Sequence, residues 1–163
     1  MTAGTHEDGD AQGGGGMDLG LLGENVGPTA RLLRNILTSR IMTAFEAFGL
    51  RSGTFSTMAL IAANPGCAQA DIAREIAIDK SIVVAIVDDL ERGGLAARKR
   101  STEDRRRNTL VLTEKGQALM DELNGIAREV EAPLRDALSA RELQMLVSLM
   151  RRAVDALAAA PSR

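Results

Sequence analysis

The stretch Leu90-Glu91-Arg92-Gly93-Gly94-Leu95-Ala96-Ala97-Arg98-Lys99-Arg100-Ser101-Thr102-Glu103-Asp104-Arg105-Arg106-Arg107-Asn108-Thr109-Leu110-Val111-Leu112-Thr113-Glu114-Lys115-Gly116 holds a helix end, two strands and a new helix start. Gly93-Gly94 is a stop signal, because glycine tolerates the left-handed backbone that ends helices. Leu95 to Arg100 and Asn108 to Thr113 read as strands, the second alternating Leu110 and Leu112 with Thr109 and Val111, and the polar loop Ser101 to Arg107 joins them into a hairpin. Thr113 is placed to cap the helix that follows. From Arg98 to Arg107 the hairpin holds six basic and two acidic residues, a local charge of +4. A protruding loop so charged suits contact with phosphates and insertion into a minor groove.

Upstream, the pattern is helical. Short helices are expected near Gln69 to Ala77 and Lys80 to Arg92, with Asp79 capping the second through the free N–H of Ser81 or Ile82. Ile72, Ala73, Ile76, Ile78, Val83, Ile86, Val87 and Leu90 are spaced to pack these helices together, which turns Lys80, Ser81, Val84, Ala85 and Asp88 outward. A helix over Thr54 to Ala63 stops at Asn64-Pro65-Gly66. Before it, Leu33, Leu37, Ile41, Ala44, Phe45 and Phe48 recur at three- and four-residue steps from Pro28 to Gly49.

After the hairpin, Leu119, Leu123, Ile126 and Val130 form a seam that Pro133 interrupts. A capping box at Ser139-Ala140-Arg141-Glu142 starts a last helix, whose Leu143, Leu146, Met150, Val154 and Leu157 are nearly heptad-spaced and call for a partner. The fold class expected is mainly α with a small β-hairpin wing: a winged helix-turn-helix over residues 54–113, flanked by long dimerisation helices at 28–49 and 114–160. Residues 19–163 are expected to form a single unit, and 1–18 a disordered acidic, Gly-rich tail.

Bulk properties agree. A formal charge of −2 argues against nucleic acid only until it is located. Residues 1 to 27 hold five acidic residues and no Lys or Arg, so from Pro28 onward 20 basic residues stand against 17 acidic ones, a net +3. With no Trp or Tyr and three Phe, the core is expected to be aliphatic. A lone cysteine and no Cys/His cluster imply neither disulfides nor metal. No signal segment or spanning run is visible, so a cytoplasmic protein with no membrane contact is expected. The single histidine, His6, lies in the tail, and no nucleophile-base pair, paired carboxylate or phosphate loop is evident; the chain is not expected to be an enzyme and has no catalytic residue or cofactor to assign.

Leu90-Glu91-Arg92-Gly93-Gly94-Leu95, Arg98, Asp104-Arg105-Arg106 and Leu112-Thr113-Glu114-Lys115-Gly116 together resemble the pattern of the MarR family of transcription regulators, over about Leu50 to Leu123. The resemblance implies a homodimer that binds double-stranded DNA at a pseudo-palindromic operator and releases it on binding a small, often aromatic, effector. It implies that Lys80, Ser81, Val84 and Ala85 face bases, that Arg98, Lys99, Arg100, Arg105, Arg106 and Arg107 serve the wing, and that Asp104 orients Arg106. Ile82, Val84, Ala85 and Asp89 depart from the Thr, Ser or Arg of similar proteins, Ala68 replaces a capping Ser or Thr, and Ala77 replaces a turn glycine.

The same resemblance places an effector pocket between the first two helices and the dimer region, with Arg31 and Arg34 meeting an anionic group and Met42, Phe45 and Met58 as an adaptable wall. Leu19 to Asn35 loosely resembles members that govern aromatic-acid catabolism and sense acyl-CoA thioesters. The expected function is thus a dimeric repressor of a catabolic or efflux operon, released by an aromatic acid or its CoA thioester. The alternative is a winged-helix protein-interaction module without sequence-specific DNA binding, favoured by the apolar Val84 and Ala85. Cys67 has no adjacent basic residue to activate it, and is expected to be a small loop residue.

Overall fold

The computed structural model describes residues 17–100 and 108–160; the expected tail up to residue 16 and the wing tip 101–107 lie outside the described residues. Two compact units are distinguished, Met1–Ile36 and Leu37–Arg163. The sequence reading drew a single unit from residue 19. The boundary falls within the first helix, α1 (Val26–Ala44), which has no fully buried residue along its length. In the first unit a one-turn 3-10 helix, Gly20–Leu22, precedes it.

The second unit carries the core. After α1 the chain makes a 3-10 turn at Glu46–Phe48, so the first long helix ends at Ala44 and not at Gly49. Then follow α2 (Thr54–Ala63), α3 (Gln69–Glu75), α4 (Lys80–Arg92), the strands β1 (Ala96–Arg100) and β2 (Asn108–Leu112), α5 (Glu114–Val130), α6 (Ala132–Ala137) and α7 (Ala140–Ala159). The expected dimerisation span 114–160 is therefore three helices, broken where Pro133 occupies the first turn of α6 and where Ser139 caps α7.

The caps read from the sequence are in place. Asp79 accepts from the Ser81 N–H, Thr113 from the Gly116 N–H, and Ser139 and Glu142 form their reciprocal box. At Ala68 no side chain caps α3, but Asp71 reaches back to the Ala68 N–H at 3.4 Å. Helix α4 ends with the Leu95 N–H on the Leu90 carbonyl at 2.8 Å and the Gly94 N–H on that of Glu91 at 2.9 Å, and Gly94 has φ 67°.

Met58 and Ile61 of α2, Ile72 of α3, Val83, Ile86, Val87 and Leu90 of α4, Leu110 of β2 and Leu123 of α5 form one buried cluster. The three phenylalanines also gather: Phe45 lies 5.5 Å from Phe55 and 6.4 Å from Phe48 between ring centroids. On α5 the buried face is Gly116, Met120, Leu123 and Ala127; Leu119 and Ile126, expected in the seam, are half-buried beside it.

The hairpin is antiparallel, pairing Ala96 with Leu112, Arg98 with Leu110 and Arg100 with Asn108. A feature unread in the sequence is a third rung. The Gly66 N–H donates to the Leu110 carbonyl at 2.8 Å, and the Leu110 N–H to the Cys67 carbonyl at 3.0 Å, so the turn after α2 ties the wing to the helical core.

Candidate nucleic-acid interface

Helix α4 is amphipathic in the sense its sequence demands: one side is wholly buried, and Lys80, Ser81 and Asp88 are exposed on the other, with Val84 and Ala85 half-buried. The polar groups on the outward side are largely engaged with one another. Ser81 donates its hydroxyl to Asp79 at 2.6 Å and its N–H to the same oxygen at 2.7 Å, which holds the Asp79 carboxyl below its ordinary value. Asp88 lies 2.7 Å from the Arg98 guanidinium.

Of the basic wing residues whose side chains are described, Arg98 is the more constrained. Its N–H donates to Glu91 at 2.8 Å, and its guanidinium pairs with both Glu91 and Asp88. Partial burial alone would lower its pKa; the hydrogen bonds and charges of Asp88 and Glu91 outweigh that and raise it. A guanidinium shared by two carboxylates contributes little net charge to a phosphate, so Arg98 positions the wing strand against α4. Nearby, Asp89 bridges Arg51 at 2.5 Å and Arg92 at 2.7 Å.

Lys80 and Lys99 are exposed and, among the described residues, in no ion pair, which leaves their charge available to phosphates. Arg100 closes β1 opposite Asn108. Asp104, Arg105, Arg106 and Arg107 lie outside the described residues. The sequence reading named Ile82 as a departure from similar proteins but left it out of the outward face; it is 46% exposed in the first turn of α4. Spacing alone did not separate it, because Ile82 stands four residues before Ile86 and so at the margin of the buried face.

The residues named for an effector are placed differently. Arg31 and Arg34 are exposed on the part of α1 in the first unit, with Arg34 donating to Asn35 at 3.3 Å. In the second unit Met42 is half-buried, whereas Phe45 and Met58 are core residues, 3% and 0% exposed. Met58 thus touches protein on all sides. A groove of about 630 Å³ along α6 and α7 is lined by other residues, including Glu131, Arg135, Leu143, Val147 and Arg151. Burial pushes the Cys67 thiol above its ordinary value, against a backbone hydrogen bond that lowers it. Among the described residues no group of His, Cys, Asp or Glu could hold a metal ion, and no helix is long and apolar enough to cross a membrane.

The sequence model of the MarR family matches residues 48–107. The fold is similar to that of the transcriptional repressor CouR bound to a 23-mer DNA duplex, with a TM-score of 0.74 and 29% identity over 86% of this chain and 99% of that one. It is similar to CouR from Rhodococcus jostii RHA1 bound to p-coumaroyl-CoA, at TM-score 0.71 and 22% identity over 86% and 96% of the two chains. It is also similar to the PcaV regulator from Streptomyces coelicolor in complex with its natural ligand, at TM-score 0.68 and 24% identity over 88% and 99%. The last two likenesses are likenesses of fold.

Proposed function

We propose, from the MarR-family membership of the central segment 48–107, that the chain is a DNA-binding transcription regulator whose hold on its operator is released by a small effector. The carrying observation is the geometry of α4 and β1: a helix anchored by Val83, Ile86, Val87 and Leu90 turns its other side outward, beside a strand bearing the unpaired Lys99. In a winged helix-turn-helix that helix enters the major groove while the hairpin reaches an adjacent groove. The DNA-bound repressor at 29% identity supports the same reading.

In this reading the chain is a cytoplasmic homodimer on a pseudo-palindromic site, and a repressor of a catabolic or efflux operon. The effector is an aromatic acid or its CoA thioester, as the ligands of the similar regulators suggest. Arg31 and Arg34 are offered to the anionic group of the effector, and Arg106, oriented by Asp104, is offered to the minor groove. The test is fluorescence anisotropy with the DNA upstream of the chain's own reading frame, at low and moderate salt, titrated with benzoic, hydroxybenzoic and cinnamic acids and their CoA thioesters. Tight binding reversed by one of these compounds is expected. Binding no tighter than to unrelated DNA, or insensitive to every compound, overturns the reading.

A further inference from the structure

We propose that Ile82, backed by Ala85, reads the C5-methyl group of thymine in the major groove, so that the operator is chosen partly through apolar contact; this rests on the DNA-binding reading above. Among the described residues from 37 to 139, Ile82 is the only large apolar side chain left exposed. Other outward apolar surface of the second unit lies on α7, outside the helix-turn-helix. Ile82 and Ala85 stand three residues apart and share one edge of α4, while Val84 lies on the opposite edge beside Lys80.

The polar side chains around it leave few means of reading base edges. The Ser81 hydroxyl donates its hydrogen bond to Asp79 and so offers no free donor to a purine edge, and the Asp88 carboxylate, which can only accept, is held by Arg98. Asp89 is held by Arg51 and Arg92. Lys80 remains as a polar reader at the start of the helix. The major groove offers one apolar group, the thymine methyl, and the first turn of a recognition helix is where base edges are met. Pressing the Ile82 side chain against that methyl removes apolar surface of both from water. The positive charges of Lys80 in the first turn of α4 and Lys99 on β1, both exposed and in no ion pair among the described residues, favour DNA over a protein partner as the occupant.

The experiment selects binders for the full chain from a pool of random 30-base-pair duplexes, then measures affinity for the enriched duplex with thymine or deoxyuridine at each enriched thymine position. Deoxyuridine removes the methyl and preserves pairing. Replacement at the symmetric position of both half-sites is expected to weaken wild-type binding about fifteen-fold, since one buried methyl contributes about four-fold at each half-site. Ile82→Ser, which alters an exposed side chain, is expected to reduce that difference to less than about two-fold, and Ile82→Val to retain most of it. If an enriched duplex binds equally well with either base, the methyl contact is wrong while the DNA-binding reading stands. If no duplex is enriched, the DNA-binding reading fails and this one with it, leaving a protein partner for Ile82.

Discussion

At Ala77 the backbone has φ 51°, a left-handed conformation in which a Cβ is strained and which glycine adopts freely. The strain is local, because the chain must turn between α3 and α4 whatever residue stands there. Ala77→Gly is therefore expected to stabilise the fold by about 0.5–1 kcal/mol, the relief outweighing the added freedom of the unfolded chain. Urea unfolding reads it, and a lower midpoint would show that the turn prefers alanine. Gly116 is the opposite case. A Cβ built there would lie 1.8 Å from the Leu95 carbonyl oxygen and 2.8 Å from its carbon, both backbone atoms. That same carbonyl accepts the Thr113 N–H at 3.0 Å, so it is not free to withdraw. Gly116→Ala is expected to cost about 3 kcal/mol or more in unfolding stability, since the first turn of α5 must separate from the end of α4. A loss below about 1 kcal/mol would mean that the two helix ends shift apart readily.

The wing is held as an element by contacts on both its strands. Glu91 of α4 receives the Arg98 N–H and guanidinium, and Cys67 and Gly66 grip Leu110 on the other strand. Glu91→Ala distinguishes a positioning role for Arg98 from direct phosphate contact. Charge alone predicts tighter DNA binding once a carboxylate is removed and a guanidinium freed. Loss of the anchor predicts weaker binding, by several-fold, with stability lower by about 1–2 kcal/mol as charged hydrogen bonds are lost. The second outcome is expected; tighter binding would return Arg98 to the set of phosphate contacts. Sequence spacing placed the caps and the ends of α2 and α4 because those signals act over three or four residues. It left Met120 and Ala127 out of the seam of α5, where both are buried, because alanine and methionine suit either environment and the wall they meet comes from α2.

At the largest scale, most of the exposed large apolar side chains among the described residues of the second unit are on α7. Met150, Val154 and Leu157 are 43%, 64% and 78% exposed, in a helix that has no buried residue and packs on α6. A stripe of that kind at near-heptad spacing calls for a facing helix, and in the proposed function a second copy of the chain would supply it. Met150→Glu with Val154→Glu is expected to give a monomer by light scattering with unchanged helical circular dichroism. Its operator affinity is expected to fall on the order of 100-fold as the second half-site contact is lost. A variant that stays dimeric would place the interface elsewhere.

The order of helices and hairpin, the caps at Asp79, Thr113 and Ser139, and the inward face of α4 were determined by the sequence, because each depends on residues close in the chain. Only the tertiary structure decided that Arg98 is shared between Asp88 and Glu91, that Gly116 lies against Leu95, that Cys67 adds a rung to the wing, and that Phe45 and Met58 are core. Each of these depends on which surfaces meet across distant segments. Periodicity states which side of a helix is apolar but not what it faces, and a charge run states its sign but not which of its members are already paired.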